Sequence, residues 1–329
     1  MKSNKFFKTA GVVLSAVLLV LNCFLSACGE IKVNLPVEEG KFSVHFLDVG
    51  QGDSILINFP DGKNMLIDAG IKDDATANFI IKCIEKTDSK SLDYLLLTHP
   101  DGDHIGNAVA IIKRFNVGKI FAPRIKDATD YPEFAAVTEA AVGNEIPMIV
   151  SDMYKSEEGS DWFLAFLSPV PSGMSGSSYD DFNAEENPTA QEINDLSPIV
   201  YLEYAGVRFV FTGDAGISQE NLVINNYKAG LYDIIYGKGK IKLGKVEFLK
   251  MSHHGSDSAS GDEFLGLLTP ANAVVSVGPN NYGLPATAAL KRLVKQSPNV
   301  EIFRTDVGGT ISVVVKKDGT YSTIEGINR

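Results

Sequence analysis

Two histidines and two aspartates fall within six residues in Thr98-His99-Pro100-Asp101-Gly102-Asp103-His104, directly after the apolar run Leu95-Leu96-Leu97. Strand ends are where a sheet presents ligands, and proline and glycine let the following loop fold around an ion. Imidazole nitrogen together with carboxylate oxygen suits zinc, manganese or iron. Taken alone, such a cluster is also compatible with a surface loop carrying fortuitous acids. Three more stretches repeat the design: Leu66-Ile67-Asp68-Ala69-Gly70, Thr212-Gly213-Asp214 and Ser252-His253-His254-Gly255-Ser256, each following a short apolar run. Singly, each aspartate is explained by turn capping. Four strand exits sharing one pattern argue for a single convergent site. The chain has 5 histidines, and the one outside these stretches, His45, alternates with apolar residues and reads as structural.

The elements that must carry these exits follow from periodicity. Short β-rich runs occupy residues 42–49, 53–59, 64–67 and 94–98, with Asp61-Gly62 as a hairpin turn between the second and third. Helical patterns cover residues 74–85 and 104–115. Residues 199–204 and 208–212 read as strands joined at Ala205-Gly206. Further strands are expected at 247–251, 273–277 and 310–315, with helices near 218–227 and 285–296. Hairpins come first, strands then alternate with helices, and the order recurs in the second half. That order predicts two mixed sheets packed together with helices outside. Residues 171–195, rich in Ser, Gly, Asp, Glu and Asn, read as a long mobile loop. Cys83, inside an amphipathic helical pattern, reads as a small buried apolar residue.

The N-terminus carries Lys2, Lys5 and Lys8, then an apolar run over residues 10–21, then Leu25-Ser26-Ala27-Cys28-Gly29. A basic start, a short apolar stretch and small residues before a cut site make a secretory signal rather than a structural helix. The cysteine after the small pair makes residues 1–27 resemble a bacterial lipoprotein signal, with Cys28 lipidated after cleavage. An uncleaved membrane anchor is the competing reading, because residues 10–27 are about long enough to span a bilayer. Both readings place the body of the protein outside the cytoplasm, the first as a cell-membrane protein lipid-anchored on the extracytoplasmic face. Residues 28–41, charged and containing Pro36 and Gly40, read as a tether, and residues 42–325 as the folded domain. With Cys23 removed and Cys28 capped, Cys83 is a lone thiol and no internal disulfide can form. A composition of 44% hydrophobic and 22% charged residues excludes wholesale disorder. The net charge is −11, and losing residues 1–27 removes those lysines and no acid, leaving −14. Such a surface repels nucleic acid at long range, although bound divalent cations would change the sign locally.

Combined, Phe46-Leu47-Asp48-Val49-Gly50-Gln51-Gly52-Asp53-Ser54, Asp68-Ala69-Gly70, the His99–His104 motif, Thr212-Gly213-Asp214 and His253-His254-Gly255-Ser256 resemble the hydrolase domain of ComEC-type competence proteins and their stand-alone relatives. These belong to the metallo-β-lactamase superfamily, and the resemblance spans roughly residues 42–324. It implies an α/β fold, a four-layer αββα sandwich of two mixed sheets, holding two divalent ions (zinc or manganese). It also implies that His99 and Asp101 bind one metal, that Asp103 and His104 bind the other, and that Asp214 bridges both. One of His253 and His254 completes the second site while the other contacts substrate or relays a proton; which does which stays open. Asp68 would orient a histidine ligand from behind. Asp103 and the histidine pair are thereby catalytic candidates, and Ser197, Ser256 and Tyr282 are candidate substrate contacts. The chain departs from the family pattern in three places. Asp101 stands where histidine is frequent, which could favour harder metals. No histidine lies between the His99 motif and Asp214, where Asn194, Asp195 and Ser197 stand instead. Leu284 occupies a position often held by histidine.

The resemblance implies a hydrolase in which two metal ions activate a hydroxide. In the best-known zinc case the pKa of the bound water falls from about 15.7 to about 7. No serine or cysteine triad is evident, in agreement. A phosphodiesterase or nuclease-like activity at the cell surface is the leading expectation, its substrate a phosphoester in nucleic acid or in a cell-envelope component. The acidic surface tilts the expectation toward the smaller phosphoesters. The alternatives are a non-catalytic lipoprotein that binds a ligand or DNA, and a lactonase or thioesterase of the same fold.

Overall fold

In a computed structural model of the chain, residue 33 and residues 35–36, 41–87 and 91–327 are described. Strand β1, Phe42–Phe46, alternates: Phe42, Val44 and Phe46 face the interior, and Ser43 and His45 take the opposite side. In chain order follow β2 (Ile55–Asn58), β3 (Asn64–Ile67), β4 (Ser91–Leu96), β5 (Asn116–Ala122), β6 (Met148–Val150), β7 (Ser156–Glu158) and β8 (Trp162–Phe166). The second half supplies β9 (Val200–Tyr204), β10 (Val207–Phe211), β11 (Phe248–Lys250), β12 (Asn272–Val275), β13 (Glu301–Arg304), β14 (Thr310–Val315) and β15 (Tyr321–Ile327).

These strands make an 8-stranded sheet in the order β15-β14-β1-β2-β3-β4-β5-β6 and a 7-stranded sheet in the order β13-β12-β11-β10-β9-β8-β7. Each is mixed. β3 to β6 run parallel in the first and β10 to β13 in the second, while the remaining neighbours are antiparallel. The inner faces meet in a core of Phe42, Phe46, Ile55, Ile57, Leu96 and Phe121 against Phe166, Leu202, Phe209, Phe211 and Phe248. Ring pairs tie the halves together: Phe42 stacks on Tyr204 at 4.8 Å between centroids, and Phe59 on Trp162 at 3.9 Å. Burying each such side chain contributes on the order of 1.5–3 kcal/mol. Helices Ile217–Lys228, Asp262–Leu268 and Thr287–Gln296 cover the outer face of the second sheet through Val223, Phe264, Leu265 and Leu293. On the first sheet's side lie helices Asp74–Glu85, Ala108–Arg114 and Pro132–Gly143, the middle one touching β5 and both of the others. The result is the expected αββα sandwich.

The first of these helices starts where Asp73 caps it, accepting the Thr76 amide at 2.8 Å, and buries Phe79, Ile80, Cys83 and Ile84 along one stripe. Burial raises the Cys83 thiol's pKa, so this cysteine is a packing residue. Ala205 (φ 50°) and Gly206 (φ 82°) are both left-handed, as a two-residue hairpin between β9 and β10 requires. The helix expected over 104–115 is broken into Gly102–Ile105 and Ala108–Arg114. At the break, Asn107 turns its amide to the Ala69 and Ile71 carbonyls (2.8 and 2.6 Å), tying the metal-type loop to the loop after β3.

One expectation is corrected outright. Residues 171–195 are not a featureless loop: they form helices Ser178–Ala184 and Ala190–Asn194. A capping box between Thr189 and Glu192 starts the second helix, and Tyr179 and Phe182 bury with Leu196 in a cluster of their own. The polar composition concealed these few apolar anchors. The lipoprotein signal and Cys28 lie outside the described residues, as does most of the 28–41 tether. Among the described residues no helix is long and apolar enough to cross a membrane.

His45 sits in the first sheet with Nε2 2.9 Å from Ser43 Oγ and Nδ1 2.8 Å from Ser312 Oγ. Burial pushes its pKa down from 6.5 to about 3, so the folded chain keeps it neutral while the unfolded chain takes up a proton below pH 6.5. Stability is therefore expected to fall as pH drops from 6.5 toward 3, by up to about 1.4 kcal/mol per pH unit from this group. Thermal unfolding at pH 7 and pH 4.5 should show a smaller drop for His45→Asn than for the parent chain; equal drops would contradict the assignment.

Candidate metal centre

The side chains of the candidate site leave the carboxyl ends of neighbouring parallel strands. β3 runs into Asp68, β4 into Thr98 and His99, β10 into Asp214, β11 into His253 and His254, and β12 into Ser276. Because β3 and β4 are parallel, as are β10, β11 and β12, each sheet presents these exits at one edge.

Asp68 is fully buried with a left-handed backbone (φ 59°). Its Oδ1 accepts the Thr98 amide at 2.9 Å; its Oδ2 accepts the Thr98 hydroxyl at 2.8 Å and faces His104 Nδ1 at 2.8 Å. A carboxylate only accepts, so the Thr98 hydroxyl spends its hydrogen there and its oxygen is left for His99 Nδ1, 3.0 Å away. In their neutral forms His99 and His104 therefore carry the proton on Nδ1 and turn a bare Nε2 into the site. His254 reaches the same state by another route, its Nδ1 donating to the Ser276 carbonyl at 2.9 Å.

The bare nitrogens meet carboxylates. His104 Nε2 lies 3.3 Å from Asp214 Oδ1, while His254 Nε2 lies 3.5 Å from Asp214 Oδ2 and 3.4 Å from Asp103 Oδ2. His99, His104 and Asp214 form one group of converging donor atoms, and Asp103, His104 and His254 another. The Nε2 atoms of His99, His104 and His254, with Asp214 Oδ1, are buried and complete no hydrogen bond. Buried polar atoms are rarely left so, and several converging without partners is the signature of a cation site. The residues fit a divalent metal in chemistry as well as in placement.

The carboxylates favour positive charge at this place, from a bound cation or from a proton on an imidazole. Burial disfavours charge on His104, but the Asp214 and Asp68 carboxylates outweigh it and hold the imidazole pKa well above its ordinary value. Burial likewise opposes ionisation of Asp214, and His104, His254 and Lys250 overcome it, holding the carboxyl well below the usual range. Asp103 is lowered in the same way, burial being outweighed chiefly by His254 and His104. His253 differs: burial wins and its pKa is lowered.

Not every anticipated residue enters the cluster equally. Asp101, 42% exposed, places Oδ2 3.7 Å from His99 Nε2. His253 is 30% exposed, with Nε2 3.7 Å from Asp214 Oδ2 and Nδ1 3.4 Å from both Asn194 Nδ2 and Ser258 Oγ. His253 (φ 49°) and His254 (φ 53°) are consecutive left-handed residues, a strained pair that aims adjacent imidazoles differently. Ser197 stands beneath the site, its Oγ accepting the Asp214 amide at 3.2 Å and lying 3.2 Å from His99 Nδ1. Asp195 instead binds the Gly216 amide at 2.9 Å. Ser256 pairs with Ser258 Oγ at 3.0 Å and donates its amide to the His253 carbonyl at 2.8 Å, while Tyr282 is 80% exposed. Leu284 packs against the apolar cluster on the second sheet's outer face. Two buried residues at the centre had no role in the sequence reading, Asp53 and Lys250, which form an ion pair. The signal was available for the lysine, a cation in the apolar run Phe248-Leu249-Lys250-Met251.

Residues 47–170 match the family model described as the metallo-β-lactamase superfamily. Over 87% of its length the chain is 28% identical to ComE operon protein 3 of Bacillus subtilis (strain 168), covering 35% of that protein. Over 86% it is 25% identical to competence protein ComA of Neisseria gonorrhoeae, covering 34% of it. Over 89% it is 24% identical to recombination protein 2 of Haemophilus influenzae, covering 32% of it. The chain thus spans about a third of the length of these curated relatives. Among solved structures, CmlA, a diiron β-hydroxylase from Streptomyces venezuelae, is similar with a TM-score of 0.48 at 12% identity, over 86% of this chain and 55% of that one. A metallo-β-lactamase from Cronobacter sakazakii aligns with a TM-score of 0.34 at 16% identity, over 63% of this chain and 73% of that one.

The tautomers of two histidines hang on Asp68. Replacing Asp68 by Asn removes the acceptor for His104 Nδ1 or for the Thr98 hydroxyl, and manganese affinity is expected to fall about 10- to 100-fold. Titration calorimetry checks this, and an unchanged affinity in a folded variant would contradict it.

Proposed function

We propose that this chain is a metal-dependent hydrolase of phosphoester bonds, a phosphodiesterase or nuclease-like enzyme that holds two divalent ions. The observation that carries the reading is the convergence of unpartnered, buried Nε2 atoms of His99, His104 and His254 on Asp214. Asp214 stands between the two sets of donors: it groups with His99 and His104, and its Oδ2 also faces His254. His99 and Asp101 would serve one ion, and Asp103, His104 and His254 the other. The burial of His254 and its bond to Ser276 favour it over His253 as the ligand. A divalent ion there would supply Lewis acidity toward a phosphoryl oxygen and lower the pKa of water.

The chain's own residues do the rest. Asp68 and Thr98 hold the histidines with Nε2 forward. Ser197 fixes Asp214 through its backbone amide. His253, partly exposed beside Asp214, is the group placed to pass a proton between the site and a leaving group. A phosphodiester is preferred as substrate because one similar curated protein is named for competence and another for recombination. The lipoprotein-like N-terminus supports placing this activity outside the cytoplasm, tethered to a membrane at Cys28.

The protein, with manganese or zinc added, is expected to hydrolyse bis(p-nitrophenyl) phosphate, and Asp214→Ala is expected to reduce turnover to background. Hydrolysis of p-nitrophenyl acetate or a lactone with no phosphodiester turnover would replace the substrate class. Metal binding with no turnover on any ester would replace the enzyme reading with a binding protein.

A further inference from the structure

Lys250 closes β11 with its side chain fully buried, among Phe248, Leu249 and Met251. A lysine is almost never buried this far unless it is paired. Its ammonium forms an ion pair with Asp53 Oδ2, donates to the Gly213 carbonyl at 3.0 Å, and stands 3.9 Å from Asp214 Oδ1. Asp53 is itself buried; its Oδ1 lies 3.6 Å from His254 Nδ1 and its Oδ2 4.0 Å from His104 Nδ1. The backbone holds Asp53 in this place, its amide donating to the Asp103 carbonyl at 3.2 Å and its carbonyl accepting the Gly70 amide at 2.9 Å. The approach depends on Gly52 (φ 141°), where a Cβ would lie 2.3 Å from the Asp103 carbonyl oxygen.

A fixed organic cation therefore lies inside the ligand cluster, within reach of the carboxylate that faces two histidines. Coulomb attraction grows as separation shrinks, so the ammonium stays with whichever carboxylate is nearer. That partner is Asp53. Without it, the ammonium would turn to Asp214 and occupy the oxygen a metal needs. Without the ammonium, Asp53 would be a free buried carboxylate beside Asp68 and His104, with which it already forms a converging group.

We propose that the Asp53–Lys250 pair is a positioning device for metal binding. Asp53 draws the ammonium off Asp214, and the ammonium keeps Asp53 out of the ligand set. The inference rests on the reading of Asp214 as a metal ligand.

The test is manganese binding by titration calorimetry, with cobalt absorption spectra as a second readout, on the parent chain and on Asp214→Asn, Asp53→Asn and Asp53→Asn/Lys250→Met. Asp53→Asn is expected to weaken manganese binding about tenfold or more, because it frees the ammonium toward Asp214. The double variant removes both charges at once and is expected to bind within about threefold of the parent with an unchanged cobalt spectrum, since a buried pair replaced as a unit is tolerated. Should Asp53→Asn fail to fold, Lys250→Met takes its place: the freed Asp53 carboxylate is expected to enter the ligand set and shift the cobalt spectrum, and a parent-like spectrum would overturn the role. Loss of binding in the double variant, or parent-like binding in folded Asp53→Asn, would overturn the positioning role. If Asp214→Asn binds metal as the parent does, it is the reading of the site that fails.

Discussion

The site depends on one buried carboxylate. Asp68 has no solvent to satisfy it, so it must collect donors, and the loops after β3 and β4 are arranged to supply them. An amide, a hydroxyl and an imidazole spend their hydrogens on its two oxygens. The cost of desolvating the carboxylate is offset only when all of these bonds form together. Once they do, the protons of two neighbouring histidines are committed away from the site. The reactive face is set by chemistry one layer behind it, and its histidines need no reorganisation to receive a cation.

The second sheet brings a matching edge. Asp214 and the histidine turn arrive from adjacent parallel strands, and the turn accepts two left-handed histidines in succession, each costing of order 1–3 kcal/mol. Bonds hold that strain in place. The His253 amide donates to the Gly213 carbonyl at 3.1 Å, and the Ala286 amide reaches the Gly255 carbonyl at 2.9 Å. The aromatic core between the sheets fixes how far apart the two edges stand, so Phe209, Phe211 and Phe248 help position the centre.

Much of this was legible in the sequence, for identifiable reasons. Strand exits carrying His and Asp are a local signal, and so are a capped amphipathic helix at Asp74–Glu85 and a hairpin at Ala205-Gly206. Strands such as β5 and β8 were missed because, buried or half-buried against neighbours distant in sequence, they lack a clean alternation. The segment 171–195 misled for the opposite reason, a polar composition folded around three apolar side chains. The choice between His253 and His254 was invisible because two adjacent identical residues are distinguished only by backbone torsion. Lys250 was passed over as one charge in an apolar run, and its partner Asp53 lies nearly two hundred residues earlier.

The central claim is that the buried donors of His99, His104, His254 and Asp214 hold a metal. Anomalous diffraction from crystals of the protein grown with manganese tests this most directly. The account predicts anomalous density bonded to the Nε2 atoms of these histidines and to Asp214, with Asp68 still bonded to His104 behind it. Crystals in which manganese is absent from this cluster, or is bound only elsewhere on the chain, would contradict it.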